Sequence, residues 1–185
     1  MKKILFLSLI FCGLFLLAQD AYSQKIVKVD VVQPQSEFDF KLATDMLNTG
    51  SATIKGKILF ETKTSVFTKD RTWGKVGNKV SLYPITPYFN EFLELRKKDK
   101  KDKRIAAISR EANSFRIETK VYSIEGDFLF TGLKPGKYFI EGFVYFLGGG
   151  TGGYQVEGIV EIKTEGETVE AQIKSKYESK NPYLS

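Results

Sequence analysis

The hydrophobic residues of this chain change their spacing once, early in the sequence, and the change separates a helical segment from a β-rich one. Before it, Phe38, Leu42 and Met46 recur at every fourth residue, which is the spacing of one face of an α-helix. This pattern predicts a short amphipathic helix over 37–47. Ser36, just before it, has the hydroxyl side chain that is typical of an N-cap.

After the change, hydrophobic residues follow a period of two, which is typical of strands that bury one face. Their spacing resembles that of a β-sandwich. One strand, over 137–147, is apolar on both faces and is interrupted only by Glu141. Its outer face therefore needs either a covering helix, 37–47 or 87–98, or a binding role. The predicted strands cover residues 51–61, 80–85, 115–124, 126–130, 137–147, 154–163 and 168–174.

Two signals locate the segments between the first strands. Thr86 followed by Pro87 predicts a helix start, because threonine caps the first turn and the N–H that proline lacks would have no partner there. We expect a helical insert over about 87–112. Residues 62–78 are predicted to form a loop that contains Trp73.

Two polar or glycine-rich stretches predict the connections between the last strands. Residues 148–153 read Gly-Gly-Gly-Thr-Gly-Gly. A phosphate-binding loop would continue with Lys-Ser/Thr into a helix, so we expect a hairpin connection or the rim of a ligand surface instead. Residues 164–167 predict a second hairpin turn.

A basic run, RKKDKKDKR, occupies residues 96–104 and has seven basic and two acidic residues, hence a net charge of +5. The whole chain has 28 Lys+Arg and 22 Asp+Glu, a net charge of +6. The run predicts a solvated helix face or, alternatively, contact with an anionic glycan or lipid head group. Nucleic acid is not expected as a partner, because the run lacks interleaved aromatic residues. The candidate contact residues are Lys97, Lys98, Lys100, Lys101 and Lys103.

Residues 1–23 have the pattern of a secretory signal peptide. An apolar run over 4–17 follows two lysines and is shorter than the roughly 20 residues of a membrane-spanning helix. The small residues Ala21 and Ser23 predict cleavage after Ser23, with an uncleaved anchor as the alternative. We therefore expect export to the periplasm, the outer-membrane surface or the extracellular space.

The composition excludes several kinds of catalytic or metal site. There is no histidine, which rules out a histidine base or metal ligand, and the single cysteine rules out an intrachain disulfide. Glu157 and Glu161 share a strand face, but a separation of about 13 Å is wide for paired glycosidase carboxylates. We predict no catalytic residue, no metal and no cofactor.

Residues 126–142 read GDFLFTGLKPGKYFIEG and place Gly-Leu-x-Pro-Gly-x-Tyr between two strands. The motif resembles the signature of carboxypeptidase regulatory-like domains, which have a transthyretin-like (prealbumin-like) β-sandwich. Residues 52–60 and 80–88 are similar to the opening strands of bacterial members. The resemblance, over about 51–175, implies a role other than catalysis, because transthyretin-like hydrolases use histidines.

The turn within this motif has a physical interpretation of its own. Gly132 and Gly136 are expected to adopt turn conformations that other residues avoid, and Pro135 fixes φ at the corner. Leu133 and Tyr138 are expected to close the end of the sandwich.

Aromatic residues give two candidate ligand-binding groups. Phe139, Phe143 and Tyr145 share the outer face of strand 137–147 and would form a platform for sugar rings or a partner, unless a helix covers them. Trp73 is a second sugar-stacking candidate, although a lone tryptophan in a loop also serves to close the end of a sandwich.

These observations predict a mainly β protein, a seven-stranded antiparallel Greek-key β-sandwich of transthyretin-like type with one or two short helices. A signal peptide (1–23) and an N-terminal segment with a short helix (24–50) precede the domain (51–175), and a tail (176–185) follows it. We expect an exported, non-enzymatic module that binds an envelope protein or glycan, or makes structural contact there. The alternatives are a carbohydrate-binding module that uses the aromatic residues and, less favoured, a hydrolase.

Overall fold

The computed structural model describes residues 28–47, 50–63, 69–100, 103–145 and 152–175, and in these ranges the chain is mainly β. The predicted signal peptide (1–23) and tail (176–185) lie outside the described residues. In chain order the elements are β1 (Asp30–Val32), α1 (Phe40–Leu47), β2 (Ala52–Lys63), β3 (Lys69–Trp73), β4 (Lys79–Pro84), α2 (Pro87–Arg96), β5 (Arg104–Ala106), α3 (Arg110–Ser114), β6 (Ile117–Lys120), β7 (Asp127–Leu133), β8 (Gly136–Tyr145), β9 (Gly153–Ile162) and β10 (Thr168–Ser175).

Most of these strands belong to one curled, mixed sheet with the order β3-β2-β10-β9-β8-β4-β6, and β7 pairs with β2 beside β3. The expectation of a purely antiparallel sheet is wrong, because β2 and β10 run parallel. A small separate sheet of β1 and β5 is parallel as well. Side chains alternate with the same period in parallel and antiparallel strands, so the pattern could not reveal strand direction.

The last two strands separate after the turn that joins them. The predicted turn over 164–167 is present, and the Glu167 N–H donates to the Thr164 carbonyl oxygen at 3.3 Å. However, β9 and β10 pair only at their far ends, through 156–157 and 174–175. Nearer the turn, β9 pairs with β8 and β10 pairs with β2. This separation allows the sheet to curl around its core.

The inner face of the curled sheet buries the main hydrophobic core, and Tyr138 fills its end near β7. Leu133 and Tyr138 are fully buried, as expected. The Tyr138 hydroxyl can donate to the carbonyl oxygens of Met46 at 2.8 Å or Lys134 at 2.7 Å, so the polar end of this ring is satisfied. Burial raises the pKa of Tyr138 to about 12.

The turn before β8 depends on glycine, as expected. Gly132 has φ +74° and Gly136 has φ +157°, a region that other residues rarely adopt. A Cβ atom on Gly136 would also lie 2.7 Å from the Cε atom of Met46. The conformation therefore favours glycine at this position, and a larger residue would also displace the Met46 methyl group.

Helix α2 covers part of the outer face of the sheet, which confirms the covering-helix alternative for that part. The Thr86 hydroxyl caps the helix and accepts a hydrogen bond from the Phe89 N–H at 3.3 Å. Phe89 and Phe92 then pack against Tyr83 of β4 and Phe139 of β8, forming a second hydrophobic cluster.

The N-terminal segment binds to α2, and this contact corrects the predicted start of α1. The helix begins at Phe40 because Asp39 is its cap, with the Leu42 N–H donating to Asp39 Oδ1 at 2.8 Å. Ser36 instead donates its hydroxyl to Glu91 Oε2 of α2 at 2.7 Å. Ser36 lies three residues before the cap position and binds α2 instead of the first turn of α1.

The described residues form ten strands and three helices instead of the predicted seven strands and one or two helices, and several segments differ in extent. The insert over 87–112 is only partly helical, since the chain turns after α2, enters β5 and then forms α3. The predicted loop over 62–78 contains β3. The end of β2 extends beyond β7, and β3 pairs with that end, so the backbone groups of β2 find hydrogen-bond partners there. The predicted strand over 115–124 shortens to β6, because the following residues form a turn.

Candidate functional site

The outer face of β8 carries three of the predicted aromatic residues, but they have different surroundings. Phe139 is 3% exposed and lies beneath α2, with ring centroids 5.5 Å from Phe89 and 6.2 Å from Tyr83. Phe143 and Tyr145 are 36% and 42% exposed. Their rings contact each other edge to face at 4.8 Å. We call Phe143 and Tyr145 the aromatic platform; Phe139 belongs to the covered core.

A glycine on the neighbouring strand makes room for the platform. Gly153 pairs with Tyr145, and a Cβ atom at this position would lie 2.4 Å from Cε1 of Phe143. The Phe143 ring can therefore lie close to the backbone of β9. Gly153 ends the predicted glycine-rich connection, of which residues 148–151 lie outside the described residues.

Trp73 is not part of this group. It lies at the end of β3, half-buried, with Lys57 Nζ 5.6 Å from its ring centroid. In the sheet order, β2, β10 and β9 lie between β3 and β8. The two predicted aromatic groups are therefore separate surfaces.

Next to the platform, Glu141 and Gln155 present planar polar side chains. Glu141 Oε2 accepts a hydrogen bond from Gln155 Nε2 at 2.9 Å, and Glu141 Oε1 accepts one from the Tyr83 hydroxyl at 3.0 Å. Gln155 lies opposite Phe143 in the strand register. Burial, together with the negative charge of Glu141, raises the pKa of Tyr83 to about 12, so its hydroxyl remains a donor at neutral pH.

Glu157 lies directly opposite Glu141 in the register of β8 and β9. Like charges in this arrangement repel each other. Arg96, the last residue of α2, offsets the repulsion, because its Nη2 atom is 2.6 Å from Glu157 Oε2 and the two side chains are only 20% and 14% exposed. The guanidinium carbon of Arg96 also lies 5.5 Å from the ring centroid of Phe139.

The sequence pattern along β9 relates Glu157 only to Glu161, so it does not reveal this pair. The available signal was Glu141, the single polar interruption of an apolar face. Assigning it a partner required the register of β8 and β9. In the folded chain both carboxylates are held by neighbouring donors, so they are suited to accept hydrogen bonds from hydroxyl groups.

A groove of about 510 Å³ continues from this pair between the end of α2 and strands β9 and β10. Its apolar wall includes Ile159, which is 58% exposed. Ile159 is the one hydrophobic residue on a face of β9 that otherwise carries Gln155, Glu157 and Glu161. Its charged wall includes Arg96 and Glu157. The lining also includes Leu93, Lys97, Phe139 and Lys174.

The basic run is not a helix face, which corrects one expectation. Helix α2 ends at Arg96, and the chain then turns, with the Lys100 N–H donating to the Arg104 carbonyl oxygen at 2.9 Å. Arg104 turns back and donates from Nη1 to the Leu95 carbonyl oxygen at 3.0 Å. The candidate contact residues Lys97, Lys98, Lys100 and Lys103 are exposed, and Lys101 lies outside the described residues.

Two searches over the described part of the chain gave negative results. Among those residues, no three His, Cys, Asp or Glu side chains cluster in a way that could hold a metal ion. No helix in the same ranges is long and apolar enough to cross a membrane.

Comparison with known proteins gives a fold relationship. No family model matches the sequence, and no curated protein matches it. A crystal structure from Pseudomonas aeruginosa, of a "putative carbohydrate binding protein", is similar with a TM-score of 0.56 and 16% sequence identity. The match covers 77% of this chain and 99% of that chain. At this identity the similarity concerns the fold.

Proposed function

We propose that this chain is an exported, non-enzymatic binding module that holds carbohydrate on the outer face of β8 and β9. The observation that carries the proposal is the aromatic platform of Phe143 and Tyr145 beside the hydrogen-bonded Glu141–Gln155 pair. Sugar rings combine apolar C–H faces with hydroxyl edges. A surface with exposed aromatic rings next to planar polar groups complements both parts.

The similar fold is consistent with a glycan as the ligand. The similar Pseudomonas aeruginosa structure is of a "putative carbohydrate binding protein". The resemblance of residues 126–142 to carboxypeptidase regulatory-like domains fits the same proposal, with a transthyretin-like Greek-key sandwich as the finer description of the fold.

The proposed role is binding without catalysis. Two observations support it: the composition of the chain and the hydrogen bonds and ion pair of the carboxylates at the site. The chain has no histidine. Glu141 and Glu157, which oppose each other in the register of β8 and β9, are held by Tyr83, Gln155 and Arg96. In the proposed role these carboxylates accept hydrogen bonds from sugar hydroxyl groups.

Export to the cell envelope is the setting in which such a module would meet polysaccharide. The proposal depends on residues 1–23 acting as a cleaved signal peptide. Intact-mass analysis of protein secreted by a native-like host should give a chain that begins at Gln24. A retained Met1 would contradict cleavage.

Affinity electrophoresis tests the ligand class. Native gels containing neutral glucans, mannans or polygalacturonate should retard the wild-type protein in at least one case. Phe143→Ala with Tyr145→Ala should weaken that retardation about tenfold or more, which corresponds to roughly 1.4 kcal/mol of binding free energy. Tyr122→Ala is the matched control, since Tyr122 is also an exposed tyrosine, 62% exposed, but lies outside the site.

Two results would argue against the proposal. One is that no polysaccharide in the panel retards the protein. The other is retardation that survives loss of the platform but disappears in Trp73→Ala, which would place the ligand at Trp73 on the edge strand β3.

A second candidate function concerns the exposed lysines after α2. Within the described residues, no ion pair involves Lys98, Lys100 or Lys103, so their charges face solvent. They fit a contact with an anionic surface, which is salt-dependent and separate from the platform.

A further inference from the structure

We propose that the glycan is acidic, and that the groove beside the platform binds its carboxylate groups. This inference rests on the proposed carbohydrate function and specifies its ligand class: a polyuronate-like chain instead of a neutral polysaccharide. The groove contributes three cations, Arg96, Lys97 and Lys174, and one anion, Glu157, so its lining has a net charge of +2.

Two of these cations can turn toward a ligand at small cost. Lys97 Nζ lies 2.5 Å from Glu94 Oε1, but both side chains are more than half exposed. Lys174 Nζ lies 3.5 Å from Glu61 Oε1; Lys174 is 42% exposed, whereas Glu61 is 16% exposed and also has Arg71 Nε at 3.0 Å. An exposed pair such as Lys97–Glu94 contributes little to stability, and Glu61 keeps Arg71 as a partner when Lys174 moves. An incoming carboxylate can therefore compete for either ammonium group.

The apolar wall of the groove argues against a simple inorganic anion as the ligand. Leu93, Phe139 and Ile159 line the same space as the cations. Ile159 is 58% exposed on a strand face that is otherwise polar, and it pairs with Phe139 in the register. A ligand that fits this wall needs an apolar face as well as negative charge, and a uronic acid ring has both.

The groove and the platform are parts of one surface. Gly153 pairs with Tyr145 at one end, Glu157 pairs with Glu141 in the middle, and Ile159 lies at the groove end. Six residues of β9 span about 20 Å. The surface therefore suits an extended chain of several sugars, stacked on the aromatic platform at one end and bound through charge at the other.

The test compares polygalacturonate with the same polymer after methyl esterification, which removes the charge and keeps the sugar. Affinity electrophoresis of the wild-type protein should show about tenfold tighter binding to the acid than to the ester. Lys97→Gln with Lys174→Gln should remove that preference and leave binding to the ester unchanged. The matched control is Lys120→Gln with Lys163→Gln, which removes the same charge from exposed positions that do not line the groove and should retain the preference.

Each other outcome overturns the inference in a distinguishable way. Equal binding of acid and ester that still depends on Phe143 and Tyr145 contradicts the acidic ligand but keeps the carbohydrate function. Loss of preference in the Lys120/Lys163 control would mean that the preference follows the overall charge of the protein and not the groove. Binding to neither polymer contradicts the acidic ligand. Binding to vesicles of anionic phospholipid that is lost in Lys97→Gln with Lys174→Gln would then assign a lipid to the groove. Only the failure of the whole polysaccharide panel would also remove the proposed function.

Discussion

The two ends of the outer face of β8 have nearly the same composition and opposite surroundings. At the end near the Gly-Leu-x-Pro-Gly-x-Tyr turn, Phe139 is covered by α2 and is 3% exposed. Six residues further along, Tyr145 is 42% exposed and its nearest aromatic neighbour is Phe143 on the same face. One strand therefore presents aromatic side chains to a helix at one end and to solvent at the other.

The difference shows that an apolar strand face can be either packed beneath a helix or available to a ligand. The length of the covering helix decides which part of the face is which. Helix α2 ends at Arg96, above Phe139 and Glu157. The charged and polar groups at that boundary, Glu141 and Glu157 among them, separate a packed region from a surface available to a ligand. Exposed aromatic residues beyond such a boundary cost free energy and are expected to have a binding role.

The largest expected effect comes from truncating the covered ring. Phe139→Ala should lower the free energy of unfolding by about 3–5 kcal/mol, because it leaves a cavity under α2. Phe143→Ala should lower it by about 1 kcal/mol or less, because that ring already faces solvent. Urea denaturation of both variants measures the contrast. Similar losses would mean that the two ends of β8 are equally packed.

A smaller effect is expected at the turn that begins the covered end of β8. Gly136→Val should destabilise the protein by about 1–3 kcal/mol, since valine is strained at positive φ and its Cβ would crowd Met46. The melting temperature, followed by circular dichroism, reports this loss. Gly77→Val is a useful comparison because Gly77 has φ +88° but no atom within 4 Å of an added Cβ. A melting temperature for Gly136→Val that matches the wild type would contradict the role assigned to the turn.

The smallest effect concerns the attachment of the N-terminal segment to α2. Hydrogen bonds from the Gln35 backbone, and then from Ser36, lower the pKa of Glu91 from its ordinary value of 4.5. A carboxyl group with a lowered pKa stabilises the fold above its ordinary value, and this contribution is lost as the pH falls through the pKa of the folded state.

Glu91→Gln should therefore melt slightly below the wild type at pH 7, and the difference should shrink below about pH 4.5. Melting curves of both proteins at pH 7 and pH 3 measure it. A difference that stays constant or grows in acid would show that the charge of Glu91 does not hold this segment.

Local chemistry made several parts of the fold predictable from the sequence. The two faces of β8 follow from alternation alone. The Thr86-Pro87 pair marks the start of α2, because the threonine cap and the proline without an N–H both act within the first turn of the helix. The positive φ values of Gly132 and Gly136 follow from the same local logic.

Features that depend on pairing between distant strands were not predictable. The opposition of Glu141 and Glu157 depends on the register of β8 and β9, and the parallel β2–β10 pair has the same alternation as an antiparallel one. The sequence placed Arg96 in a solvated basic run, because a run of charges does not show which of its side chains packs against the protein. Lys174 became a candidate only when β10 was placed beside the groove.

The central claim is that the exposed end of the outer face of β8 is a ligand surface, and side-chain footprinting tests it most directly. Carbene labelling of the protein, with and without a polysaccharide that retards it, should show reduced labelling of Phe143 and Tyr145 in the complex. Labelling of Tyr122, an exposed tyrosine outside the site, should not change. Unchanged labelling of Phe143 and Tyr145 in a demonstrably bound sample would contradict the claim.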